Sequence, residues 1–263
     1  MNYDFLARIL AAALLACLTT LAPAQQRRDD DIVRSFVSTR GIEDRRGTEV
    51  VTSRVKPKPK PRPAVPIGIG YTLFKKTANA EAVRVNPSQE FRSGDEMKFV
   101  IESNTGGYLY IFHQMNDAPP KMVYPDAKLT KWGDNRIEAH ELKDLWFKFV
   151  DPAAIERFYL VVASARLPAV LSGERLVAYC EQHPKDCPWQ PAETTWKQLL
   201  AQANKATRES RSQTFGETQT EVERLAIKRD VKLQPGDPAP SVIKVSASPS
   251  ARMLMATVEI AHK

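Results

Sequence analysis

Cys180 and Cys187, with His183 between them in AYCEQHPKDCPW, are the first residues in this chain whose types and spacing could do chemistry. Two thiols around a proline read as one disulfide closing a small loop, worth about 2 kcal/mol by loop-closure entropy. The alternative is a metal site on Cys180, His183 and Cys187, but it lacks the fourth ligand that a closed structural zinc site takes. Other candidates are thinner. His140-Glu141 starts a zinc-protease-like pair without a second histidine four residues on. His113 sits between apolar neighbours, where a satisfied core histidine is expected. Gly68 and Gly70 in IGIGYT lack the third glycine, the lysine and the following helix of a phosphate loop. No G-x-S-x-G elbow occurs. Asp95, after Ser93-Gly94, reads as a turn residue, because no second carboxylate lies at calcium-ligand spacing. Catalytic residues: none; cofactor: none; metal: none. The chain reads as a non-enzyme.

Cysteine use depends on the compartment, and the first 24 residues give an address. Arg8, the apolar run Ile9–Leu21 and Ala22-Pro23-Ala24 read as a secretory signal peptide over residues 1–24. The run is too short to span about 30 Å of hydrocarbon. Leu14-Leu15-Ala16-Cys17 offers a lipoprotein alternative, with anchoring at Cys17. The expected location is periplasmic or secreted, in a bacterium, and an oxidising compartment suits the Cys180–Cys187 disulfide.

The formal charge of +7 is unevenly spread. Residues 25–66 hold eleven Lys or Arg against six Asp or Glu, with one aromatic residue, Phe36. The expectation there is a disordered, charged linker ending in the proline-rich strip KPKPKPRPAVP, extended as polyproline II. Lys56, Lys58, Lys60 and Arg62 would touch an anionic envelope polymer or the membrane surface peripherally, or the strip is a plain spacer. No nucleic acid is expected, since no aromatic residues interleave with the cations.

Residues 67–171 carry the core: 14 of the 21 aromatic residues lie between Tyr71 and Tyr159. Ile69–Lys75, Ala82–Val85, Glu96–Glu102, Tyr108–Phe112, Trp146–Val150 and Arg157–Ala163 read as strands separated by turn signals. Tyr108, Tyr110 and Phe112 share one strand face and are expected to pack in the core rather than form an exposed platform. Short strands at this spacing predict a mainly β protein, an antiparallel β-sandwich. Residues 172–250 read as a helical and polar C-terminal insertion, with helices over Ser172–His183, after Pro191 (Trp196, Leu199, Leu200, Ala203) and over Gln219–Arg229. The last segment, 251–263, reads as a strand returning to pair with the sandwich.

The run Phe91-Arg92-Ser93-Gly94-Asp95, then EMKFVIES and Gly107–Phe112, is similar to the bacterial family catalogued as domain of unknown function 4384. Val123-Tyr124-Pro125, Asn135-Arg136-Ile137 and FYLVVASARLP fit the same resemblance, which covers roughly residues 70–170. It implies an exported or envelope-associated β-rich module with no established catalytic residues. The functional expectation is an exported, non-catalytic module that binds an envelope protein or polymer, with the cationic strip as its contact. A purely structural subunit of an envelope assembly would instead dock through a sheet edge or the Trp196–Leu200 helix face. The alternative is a secreted hydrolase with a carboxylate-based site.

Overall fold

A computed structural model describes residues 26–40, 65–128, 134–203, 206–212, 214–229 and 231–263. The leader and the strip bearing Lys56, Lys58, Lys60 and Arg62 lie outside the described residues. Helix α1 spans 26–37. The strands that follow are β1 (Gly68–Lys76), β2 (Ala82–Val85), β3 (Glu96–Ser103), β4 (Gly107–Met115), β5 (Lys121–Tyr124), β6 (Arg136–Ile137), β7 (Leu142–Lys148) and β8 (Ala154–Ala163). Then come α2 (Glu174–Gln182), α3 (Glu193–Ala203), β9 (Thr207–Arg211), α4 (Glu221–Arg229), β10 (Val242–Ser246) and β11 (Met253–His262).

These strands make two antiparallel sheets. One runs β7-β3-β1-β10-β9, with β2 also on β1; the other runs β11-β8-β4-β5, with β6 on β4. Period-2 patterning dictates what lies between them. Tyr71 and Leu73 of β1, Met97, Phe99 and Ile101 of β3, Leu109 and Ile111 of β4, and Phe158, Leu160 and Val162 of β8 all point inward. Phe99 meets Phe158 edge-on at 5.1 Å between centroids. The mainly β, antiparallel sandwich expected from the sequence is what forms. The terminal strand returns as expected: β11 pairs with β8 over its whole length, Met253 opposite Ala163 to His262 opposite Ala154.

Both outer faces carry helices. Tyr110 and Phe112 are buried beneath α2 and α3, so they are core residues and form no platform. Trp196 stands 5.2 Å from the Phe112 ring and edge-on to Tyr159 at 4.8 Å. The Trp196–Leu200 face, offered as a docking surface, is therefore turned inward, with Trp196 and Leu199 buried.

Two expectations need correction. Residues 172–250 are no mere appendage, because β9 and β10 lie inside them and β10 sits beside β1 in the first sheet. Residues 26–40 are not disordered. Ile32 and Phe36 of α1 lie on Ile243 and Val245 of β10. Two apolar residues four apart suffice for one helix face to seat when a sheet supplies the other half. The glycines of IGIGYT make that seat: a Cβ on Gly70 would lie 2.4 Å from Pro240 Cγ and 3.2 Å from Phe36 Cζ. On Gly68 it would lie 2.9 Å from Val245 Cγ1. These glycines exist for close approach rather than for phosphate.

Candidate functional site

Two clusters of titratable side chains stand out. The first lies where α1 ends. Arg40, fully buried, holds the Glu102 carboxylate with two parallel bonds, Nε to Oε1 at 2.8 Å and Nη2 to Oε2 at 2.7 Å. Its remaining donors reach the carbonyls of Gln234, Asp237 and Pro238. His140 Nδ1 lies 2.7 Å from Glu102 Oε1, and its Nε2 lies 2.7 Å from Thr39 Oγ1. The two-toothed guanidinium–carboxylate geometry is why arginine suits this place and lysine does not. Arg40, Glu102 and His140 are all buried, and Thr39 is partly so. The cluster ties the N-terminal segment to β3 and to the loop before β10.

The second cluster closes one end of the sandwich. Glu156 of β8, His113 of β4 and His262 of β11 all project to the inner side at the ends of adjacent strands. His113 Nε2 lies 2.5 Å from Glu156 Oε2, with its ring stacked on Phe158 at 4.7 Å. His262 Nδ1 lies 3.4 Å from Glu156 Oε1. His262 Nε2 lies 3.0 Å from the Ser93 hydroxyl oxygen, whose single proton goes to Asp151. Burial pushes the Glu156 carboxyl up, but the hydrogen bonds and charges of His113 and then His262 outweigh it and hold the group below the usual carboxylate range.

Hydroxyl, imidazole and carboxylate in that order are the parts of an activated nucleophile. The surrounding backbone is otherwise engaged. The N–H groups of Ser93, Gly94 and Asp95 donate to the carbonyls of Lys263, Phe149 and Arg92. An oxyanion at Ser93 would find none of them free. The Ser93 proton is directed at Asp151 rather than at the imidazole. The cluster satisfies a carboxylate that the sandwich would otherwise bury unpaired.

The remaining sequence candidates are placed as follows. Cys180 and Cys187 are bonded to each other, with Cα atoms 5.7 Å apart. The His183 ring lies tilted against Tyr179 at 4.9 Å, and no group of three or more metal-binding side chains occurs among the described residues. Asp95 bonds Lys75 and the Arg92 N–H, the turn role expected of it. Glu141, next to His140, holds Lys143. His113 is satisfied as expected, but it is half-buried rather than a core residue, and its partner Glu156 was not foreseen. Nor were His262, Glu102 and Arg40. One signal was available: Glu156 falls on the same strand face as Phe158, Leu160 and Val162, where a carboxylate needs a buried partner.

Searches of family models, curated proteins and solved structures find no match to this chain.

Proposed function

We propose that the protein is an exported, non-catalytic β-sandwich module that binds a protein partner in the bacterial envelope. One observation carries this reading: the side chains of catalytic type are committed to holding the sandwich together. Ser93, His262, Glu156 and His113 hold one another, and Arg40, Glu102 and His140 do the same at α1. The leader-like first 24 residues, the disulfide and the resemblance over residues 70–170 support export. Crosslinking in living cells, followed by identification of the captured species, tests the reading. The comparison is between the whole protein and a form lacking residues 41–64, which leaves α1 in place. A single protein captured by both forms is the expected result. Diffuse anionic polymer, lost with the deletion, would make the strip the binding element instead.

A secreted hydrolase is the second reading, favoured by the order Ser93, His262, Glu156. Labelling of Ser93 by a fluorophosphonate probe, lost in His262→Gln, would replace the binding module with an esterase-like enzyme.

A further inference from the structure

A sandwich that binds partners presents faces, ends and edges. Here the outer faces carry helices, so the edges decide. The edge of β2 is covered, because Arg84 donates to Glu217, Gly216 to Arg84 and Gln219 to Ala82. Met122 of β5 donates to the Trp189 carbonyl. On β11 the last residues bond Phe91 and Ser93, and its inward apolar side chains are buried. β9 is short and reads TRESR, a charged edge of the kind that resists pairing.

β7 differs. Phe149 donates to Asp95, and the register sets Phe147 opposite Met97 and Leu145 opposite Phe99. Odd-numbered residues therefore spend their backbone groups on β3. The N–H and C=O groups of Leu142, Asp144, Trp146 and Lys148 point the other way, and none has a backbone partner among the described residues. Along this edge Leu145, Trp146 and Phe147 form an apolar run flanked by Lys143, Asp144 and Lys148, and every one of these side chains is at least partly exposed, while Leu142 is buried. Trp146, 46% exposed, lies on the outer side over the Lys98 ammonium at 5.0 Å. Leu145 and Phe147 are half-buried on the inner side, against the core.

Resting on the binding-module reading, we propose that the free edge of β7 receives an extended segment of the partner protein, which adds as a further strand of the sheet. Backbone groups of the four outward residues would supply the ladder, and alternate side chains the specificity. The edge defines that segment. An apolar residue on one side would cover Trp146, apolar residues on the other would close over Leu145 and Phe147, and a carboxylate would meet Lys148. Lys148 has no ion-pair partner among the described residues. A second copy matches less well. Antiparallel self-pairing about Leu145 sets Lys148 opposite Leu142 and Lys143 opposite Phe147, so no carboxylate meets either lysine directly.

Nonapeptides selected from a random display library against the protein are the probe, read by amide hydrogen exchange and by affinity. The expected consensus has apolar residues at three successive positions, facing Leu145, Trp146 and Phe147, with a carboxylate beside them, and binding slows exchange at residues 142, 144, 146 and 148. Asp144→Pro removes only an outward N–H, which an edge strand tolerates. It is expected to weaken binding at least tenfold, whereas Asp144→Asn leaves it unchanged. Lys148→Pro, at the strand end, repeats the test should Asp144→Pro melt early. Peptides that bind both proline variants normally, or no enrichment at all, would overturn the proposal. So would protection that rises with protein concentration without peptide, which assigns the edge to a second copy. Protection in the free monomer that disappears on deleting residues 41–64 would assign it to the chain itself. Capture of the envelope partner unaffected by Asp144→Pro would leave the binding-module reading standing and sink this one.

Discussion

Arg40 and Glu102, 62 residues apart in sequence, meet in a paired, fully buried bridge, Nε to Oε1 and Nη2 to Oε2. Arg40 lies just past a helix in a stretch of mixed charge, and Glu102 lies on a strand of the aromatic core. Removing Arg40 strips the buried Glu102 carboxylate of its guanidinium and leaves it the single bond to His140.

Arg40→Met is therefore expected to destabilise the protein by about 3–5 kcal/mol, the usual cost of orphaning a buried ion. The double variant Arg40→Met, Glu102→Met should recover a large part of it. Guanidinium unfolding of the single and double variants measures the coupling directly. Equal losses in both would show that the bridge contributes nothing beyond its hydrocarbon.

Gly70→Ala tests the seat of α1. The added methyl runs into Pro240 and Phe36. Relieving it displaces the helix, at a cost of about 1–3 kcal/mol. Limited proteolysis should then cut within residues 26–40 far faster than in the parent, while the rest of the sandwich resists.

The Cys180–Cys187 loop is short, so the bond constrains the unfolded chain only modestly. Replacing both by serine should lower stability by about 2 kcal/mol without abolishing folding. A chemical unfolding curve with and without reductant on the parent gives the same comparison.

Glu156 sets a pH dependence whose sign follows from its lowered pKa. A depressed carboxyl contributes stability above its unfolded value of about 4.3, and that contribution disappears as pH falls through the folded value. The stability gap between the parent and Glu156→Gln should be full at neutral pH and shrink progressively below about pH 4. A gap that stays constant down to pH 2.5 would show that the two histidines do not hold the ionised form.

Much of the sandwich was legible because its strands obey period 2 with aromatic residues on the inner side, as Met97, Phe99 and Ile101 do. The pattern failed where strands are short or polar. TRESR of β9 has no apolar residue to betray it. VIKVS of β10 is apolar enough, but it stands alone in a polar stretch with no hairpin partner beside it. α1 was missed for a related reason. Ile32 and Phe36 read as too little apolar surface, and only the sheet opposite, cleared by Gly68 and Gly70, makes them sufficient. The site residues were harder still. His262, Glu156 and Ser93 converge from three distant stretches, so no local spacing announces them.

The seat of α1 also bears on the order in which the molecule can be assembled. Phe36 rests on β10, and Arg40 bonds carbonyls 194 to 198 residues further along the chain. A polypeptide delivered through a narrow channel with its N-terminus leading presents this helix first and its landing place nearly last. Until residues 234–246 arrive, the leading segment has nowhere to land, and β8 waits equally for β11. Completion of the fold is thereby postponed to the final stretch of the chain. A sequence arranged in this way closes its last two seams, α1 on β10 and β11 on β8, only when its final residues are free.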